Sequence, residues 1–395
     1  MSNNPVAARR RLHMLDPSTV AVRAGLDSDP AHGAVMPPLH LSSNFSFEGF
    51  GRKRPYDYSR SGNPTRDLLG EALADLEGGA GAVVTASGMA ALDLVFALVR
   101  PGQLIVAPHD CYGGTHRLLS RRAERGAFRV AFVDQGDHGA LAQIMAREPA
   151  LVLVETPSNP LLRVVDIAAI AAQAHAAGAR LVVDNTFLSP ALQLPIPLGA
   201  DFVVHSTTKY INGHSDVVGG AVVAADPDDL ADLADWANTA GLTGAPFDAY
   251  QTLRGLRTLS VRIERQSATA GVIAALLDRH PAVKQAYYPG LPDHPGHAIA
   301  ARQQRGFGAM VSFELEDGEA EVRRLIEELR LFTLAESLGG VETLIAHPAT
   351  MTHAAMDPQS RLRAGITTSL LRLSIGLENA EDLAGDLSSA LDAII

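Results

Sequence analysis

Between residues 82 and 206, five short apolar runs each end abruptly in a polar cluster. AVVT runs into ASGM, LIVAP into HDCYGGT, ALVLV into ETPSNP, RLVV into DNTF and DFVV into HSTTKY. Apolar runs this short, closed by Gly, Pro, Asn or Ser, read as strands buried on both faces. Helical patterns such as GMAALDLVFALV, HRLLSRRAERG and IAAIAAQAHAAG lie between several of them, and FRVAFVD adds a further strand. This alternation predicts an α/β fold with a mainly parallel sheet and helices on both faces. Ligands in such sheets bind beyond the carboxyl ends of the strands. The five polar clusters are therefore expected to face one crevice.

The flanks differ from this core. TRDLLGEALADLEG predicts an amphipathic helix stopped by Gly78 and Gly79. The helical stretch from Asp248 to His280 leads to a second region with its own strands, GAMVSFEL and LLRLSIGLE, and a long final helix. Residues 1–60 are rich in Pro, aromatics and Arg and poor in periodic pattern, so they read as an arm. The expected division is an arm over 1–60, a large domain over 61–260 and a smaller α/β domain over 261–395. A chain of 395 residues, 47% hydrophobic, is long enough to bury such a core.

A net charge of −11 argues against nucleic acid or an anionic membrane as a partner. The most apolar long window, Ala80 to Val99, is broken by Thr85, Ser87, Gly88 and Asp93 and is not a membrane span. Cys111 is the single cysteine, which excludes an internal disulfide and suits a reducing cytoplasm. The N-terminus, MSNNPVAARRRLHML, has no apolar segment behind its arginines, so a signal peptide is not expected; an Arg-rich transit peptide is the alternative.

Lysine occurs only at Lys53, Lys209 and Lys284, the other thirty basic residues being arginine. A lysine kept at a strand end in so Arg-rich a chain points to a task arginine cannot perform. A primary amine loses its proton and forms a Schiff base, whereas guanidinium stays charged. Ser206 and Thr208 beside it are candidate phosphate donors. Ser87-Gly88-Met89 opens a helix after a strand, which also suits phosphate, although a Ser N-cap alone explains it equally well. Asp184 could hold a protonated heterocyclic nitrogen or simply cap a turn. Tyr112, followed by Gly113 and Gly114, could stack on a flat ring or be an ordinary turn aromatic. Amine, carboxylate, ring and phosphate donors together match pyridoxal phosphate. Walker A, G-x-G-x-x-G and G-x-S-x-G patterns are absent. His205 and His214 lack the spacing and partners of a zinc site, so no metal is expected.

These motifs resemble the Cys/Met-metabolism branch of fold-type I pyridoxal-phosphate enzymes. YSRSGNPT (58–65), SGM (87–89), DCYGGT (110–115), ETPSNP (155–160), VVDNTF (182–187), HSTTKYINGHSD (205–216), LAESLGGVETL (334–344) and LRLSIGLE (371–378) match in the family's order, over nearly the whole chain. The resemblance implies that Lys209 is the Schiff-base lysine and proton carrier, with Tyr112 stacking on the ring and assisting. It implies that Asp184 pairs with the ring nitrogen. Gly88 and Met89 amides and the Ser206 and Thr208 hydroxyls would hold the phosphate, joined by Tyr58 and Arg60 of a neighbouring subunit. Arg372 would clamp the substrate carboxylate with help from Asn159 and Ser337, while Asp57 and Glu336 would recognise the amino group of an incoming cysteine.

The implied activity is replacement of the acyl group of O-succinyl-L-homoserine by L-cysteine, giving L-cystathionine. The alternative is cleavage of cystathionine to cysteine, 2-oxobutyrate and ammonia. Gly114 stands where the family's methionine γ-lyases usually carry cysteine, and Leu338 where its β-lyases usually carry tryptophan. The implied assembly is a homotetramer of two dimers that share active sites.

Overall fold

The computed structural model describes residues 15–354 and 356–395. The arginine-rich start of the chain lies outside the described residues. Two compact units emerge, one of residues 1–99 with 182–260, the other of 100–181 with 261–395.

The first unit contains strands β1 (Gly81–Thr85), β5 (Arg180–Asp184, from residue 182), β6 (Phe202–His205) and β7 (Gly220–Ala224), in the order β1-β7-β6-β5. β5 and β6 are parallel, and β7 is antiparallel to both β6 and β1. The carboxyl ends of β1, β5 and β6 therefore share one edge. Every residue of β6 and β7 is buried, which explains their unbroken apolar sequences. β7, GAVVA, is the one strand here that runs against the others. Helix Pro64–Glu77 starts where the Asn63 side chain accepts from the N–H groups of Thr65 and Arg66, and stops at Gly78, whose φ of 77° only glycine adopts at little cost.

The second unit contains β2 (Leu104–Pro108), β3 (Arg129–Val133) and β4 (Leu151–Glu155), all parallel, in the order β4-β2-β3. It also carries a smaller sheet of β8 (Val283–Tyr287), β9 (Met310–Leu315), β10 (Thr333–Leu334), β11 (Leu344–Ala346) and β12 (Leu370–Ser374), in the order β10-β11-β12-β9-β8. β9 and β12 are buried along their whole length. The final helix, Ala380–Asp392, is capped by Asn379 and buries Leu383, Leu387, Ala390 and Leu391. The α/β architecture with a mainly parallel sheet and a second, smaller one is thus the one expected. The predicted helix through 248–280 is two helices, Pro246–Leu256 and Leu259–Leu277.

Candidate active site

In the first unit, the ends of β1, β5 and β6 bring together Gly88, Asp184, Ser206 and Lys209. Ser87 caps helix Gly88–Phe96 by accepting from the Ala90 N–H. The N–H groups of Gly88 and Met89 have no intrahelical partner by helix geometry and remain available to an anion. A Cβ on Gly88 would lie 2.7 Å from the Ser206 Cβ and 3.1 Å from its Oγ, so only glycine lets this amide sit against Ser206. A Cβ on Gly220 would fall 2.2 Å from the Ser87 carbonyl, so the same cradle is closed from behind by glycine.

Asp184 is half-buried, and burial pushes its carboxyl above the usual range, while the Thr186 N–H bond and the electrostatic influence of His205 oppose this. Such a carboxylate favours a cationic partner. Lys209 lies half-buried in the turn after β6, its N–H donating to the Ser206 carbonyl at 3.2 Å. The Thr208 hydroxyl is occupied by Gly219, donating to its carbonyl at 3.1 Å and accepting from its N–H at 2.9 Å. Donating to a phosphate would require it to release that carbonyl.

His205 is fully buried against Glu77, with Nε2 and Oε1 at 2.6 Å, and the Asn185 amide donates to the same Glu77 oxygen at 2.9 Å. His214 instead contacts the Asn212 carbonyl. Among the described residues no group of three or more His, Cys, Asp or Glu is placed to hold a metal.

Three other expected residues of this unit, Asp57, Tyr58 and Arg60, precede helix Pro64–Glu77. Asp57 is ion-paired with Lys53 at 2.9 Å and bonded by Ser61 and the Tyr58 N–H, which together hold its carboxyl below the usual range, the Lys53 bond most of all. Tyr58 is exposed, with the Arg60 guanidinium 5.5 Å from its ring, and Arg60 Nε donates to Asn238.

In the second unit, Arg372 stands in the middle of buried β12 and is only 2% exposed. A guanidinium in such a strand must be held by acceptors. Its Nη1 donates to Asn159 Oδ1 at 2.8 Å and its Nη2 to the Ser337 carbonyl at 2.9 Å. Ser337 takes a φ of 83°, a left-handed conformation rare outside glycine that aims this carbonyl at the arginine. The expected trio of Arg372, Asn159 and Ser337 is therefore one cluster. Glu336, beside it in sequence, is exposed.

Glu155, at the end of β4, joins this cluster to Tyr112. One carboxylate oxygen accepts from the Tyr112 N–H and the other from the Asn159 N–H, each at 2.9 Å. The Tyr112 ring, 39% exposed, meets the buried His353 ring edge-on, with centroids 6.5 Å apart. Burial, followed by the Arg372 charge, lowers the His353 pKa to about 4, so this imidazole is neutral. A cavity of about 800 Å³ in this unit is lined by Glu155, Ser158, Asp110 and Arg163 among others, but not by Tyr112, Asn159 or Arg372.

The sequence assigns no role to Glu155, His353 or Glu77, and offers His205 only as a candidate metal ligand, although Glu155 and His205 lie inside matching motifs. Glu155 lies in full view inside ETPSNP, but its partners 43 residues upstream and 4 downstream are set by the fold. For Glu77 the distance to its partner is 128 residues.

The first unit thus carries a primary amine, a half-buried carboxylate and free amides at a helix start, and the second a buried guanidinium, the kinds of group that pyridoxal-phosphate chemistry uses on an α/β fold. The model of the Cys/Met metabolism PLP-dependent enzyme family matches residues 18–392. The chain is 59% identical to cystathionine gamma-synthase of Escherichia coli strain K12 over 377 residues, which is 95% of this chain and 98% of that one. It is 45% identical to cystathionine gamma-lyase of Dictyostelium discoideum, over 95% of this chain and 97% of that one. A crystal structure of cystathionine gamma synthase from Xanthomonas oryzae pv. oryzae, in complex with cystathionine, superposes with a TM-score of 0.95 at 62% identity, covering 96% and 98% of the two chains. The chain belongs to the Cys/Met metabolism PLP-dependent enzyme family.

Its cofactor is pyridoxal 5'-phosphate, and the residues present fit that group. The Gly88–Ser206 cradle excludes any side chain while leaving amide donors, and the burial-raised Asp184 is suited to a pyridinium. No helix among the described residues is long and apolar enough to cross a membrane.

Proposed function

We propose that the chain catalyses γ-replacement, exchanging the succinyl group of O-succinyl-L-homoserine for L-cysteine to give L-cystathionine and succinate. The observation that carries this reading is the buried Arg372–Asn159–Ser337 clamp, an α-carboxylate receptor in the same chain as the Lys209 amine. It is supported by the similarity to the Escherichia coli and Xanthomonas oryzae synthases. In the overall reaction the Cγ–O bond of the ester breaks, a Cγ–S bond forms, and the thiol proton is released with succinate.

Pyridoxal phosphate, when bound, supplies an electron sink that stabilises negative charge on the substrate carbons. Asp184 would hold the ring nitrogen in its protonated form. Lys209 Nζ would anchor the cofactor and would take and return protons at the substrate Cα and Cβ, assisted by Tyr112. Gly88 and Met89 amides with the Ser206 hydroxyl fix the phosphate, Thr208 joining them once it turns from Gly219. Arg372 orients the carboxylate by a bidentate pair. Glu336 and Asp57 receive the amino group of cysteine, Asp57 by exchanging Lys53 for it.

We further propose a cytoplasmic homotetramer of two dimers that binds neither nucleic acid nor membrane. Its arm, residues 1–60, lends Tyr58 and Arg60 to the phosphate of a neighbouring copy, 61–260 forms the cofactor domain and 261–395 the small domain. Exposed apolar side chains of the arm, Phe50, Val35, Leu41 and Phe47, favour a covered position. Mixing a Tyr58-inactive with an Arg372-inactive subunit should restore activity; no recovery would count against shared sites.

A second reading, cleavage of cystathionine to cysteine, 2-oxobutyrate and ammonia, is favoured by the similarity to the Dictyostelium lyase. One preparation given O-succinylhomoserine with cysteine, and separately cystathionine alone, separates the two. Absence of cystathionine product sinks the synthase, and a larger kcat/KM for cystathionine cleavage establishes the lyase.

A further inference from the structure

Arg372 is held by two acceptors, and the chain segment carrying each acceptor is anchored by a buried serine of the small sheet. Side chains alternate along a strand, so Ser374 lies on the face of β12 that carries Arg372. On the neighbouring antiparallel strand β9, Ser312 stands directly opposite Arg372. The two serines are 1% and 0% exposed, Ser374 and Ser312 respectively. Ser374 Oγ accepts from the Gly339 N–H at 2.8 Å, two residues beyond the Ser337 carbonyl that receives Arg372 Nη2. Ser312 Oγ donates to the Pro160 carbonyl at 2.6 Å, one residue beyond Asn159, whose Oδ1 receives Arg372 Nη1. Gln266, fully buried in helix Leu259–Leu277, adds a further strap to the Ser337 side. Its amide donates to the Gly340 carbonyl at 2.7 Å and to the Ile375 carbonyl at 3.1 Å.

These anchors sit where the backbone cannot hold itself. The Ala335 N–H still donates to the Ile345 carbonyl at 3.1 Å, continuing the pairing of β10 with β11. Beyond it Ser337 and Gly339 take φ of 83° and 76°, so the chain turns out of the ladder. A buried amide outside a ladder needs an acceptor from elsewhere, and Ser374 supplies it.

We propose that Ser374 and Ser312, with Gln266, are positioning residues that set the angle at which Arg372 meets a substrate carboxylate. A guanidinium is planar, and a bidentate pair forms only when the carboxylate lies in line with its edge. The Ser337 carbonyl and Asn159 Oδ1 together fix that plane. If either acceptor drifts, the plane turns and the second bond to the carboxylate is lost. The serines therefore act through Arg372, and their effect is confined to ligands that carry the carboxylate.

The inference rests on the reading of Arg372 as the α-carboxylate receptor. Holoenzyme is titrated with L-norvaline and with n-butylamine, which has the same carbon chain and amine but no carboxylate. Each dissociation constant is read from the visible absorption of the cofactor. Ser374→Ala and Ser312→Ala are each expected to raise the L-norvaline constant about tenfold and the n-butylamine constant less than about twofold. In an Arg372→Leu background, neither serine change should move the L-norvaline constant by more than about twofold.

Variants that melt earlier yet bind both ligands as wild type does would overturn the proposal, leaving the serines a packing role. So would variants that weaken both ligands by the same factor. Should the serine variants fail to fold, Gln266→Met decides, because methionine is of similar length and has no donor. Selective loss of L-norvaline binding in that variant upholds the proposal, and unchanged or equally weakened constants overturn it. Failure of the clamp reading itself looks different: Arg372→Leu alone would leave the wild-type preference for L-norvaline over n-butylamine intact, and the proposal would fall with it.

Discussion

The two units carry candidate residues of different kinds. The first unit presents backbone amides, hydroxyls and one half-buried carboxylate at strand ends, all within a few residues of β1, β5 and β6. The second presents a guanidinium buried in a strand, held by acceptors 213 and 35 residues away, and braced by a carboxylate that reaches across 43. The first half is suited to gripping a cofactor through many small dipoles. The second is suited to one task, accepting a carboxylate at a fixed angle. Changes in the first half should therefore be read in cofactor binding and spectrum, and changes in the second in substrate KM.

The sharpest break is Lys209→Arg. It keeps the charge but removes the amine that can lose a proton. Activity should fall by at least about 10⁴, and the absorption band of the lysine-bound cofactor should vanish while the far-UV circular dichroism is unchanged. A surviving band would mean that another group anchors the cofactor. Arg372→Leu should come next, lowering kcat/KM on the order of 10³ through loss of a bidentate pair. Its effect should fall on KM, with the cofactor spectrum close to wild type. An altered spectrum with unchanged KM would show that the two halves do not divide the work in this way.

How much of this was legible in the sequence follows the same divide. The alternation of strands and helices, the helix ended at Gly78 and the candidate cofactor residues are written locally, as apolar runs, a glycine stop and motif residues side by side. The resemblance to the family then suggested Arg372, Asn159 and Ser337. What the sequence hid was how they are held. The φ of 83° at Ser337 and the Glu155 bonds arise from tertiary packing. β7 was also hidden, since GAVVA carries no sign that its strand runs antiparallel.

Glu155→Gln tests the link inside the second half. A glutamine oxygen accepts one of the two amide protons, but its NH₂ faces the other, so a buried donor is left unsatisfied. Because the two amides belong to Tyr112 and Asn159, the change should reach both the ring and the clamp. KM is expected to rise about tenfold to a hundredfold, and the visible circular dichroism of the bound cofactor should weaken as Tyr112 shifts. A rise in KM with an unaltered cofactor signal would confine Glu155 to the clamp.

The smallest effect is expected at His353, and it concerns stability rather than chemistry. Burial, then the Arg372 and Arg361 charges, depress its pKa to about 4, against the partly opposing Asn159 backbone and Asp110. In the unfolded chain the ring returns to a pKa near 6.5 and takes up a proton that the folded protein refuses. Between those values the unfolded state binds more protons, so stability falls as the pH drops from about 6.5 toward 4. The contribution is complete above that window and lost within it, at no more than about 1.4 kcal/mol per pH unit. His353→Asn removes the titration without adding charge. Its melting temperature relative to wild type should therefore rise steadily as the pH is lowered through this range. Parallel curves for the two proteins would show that His353 is protonated in the folded state, and that the Arg372 guanidinium has a charged neighbour in place of a neutral one.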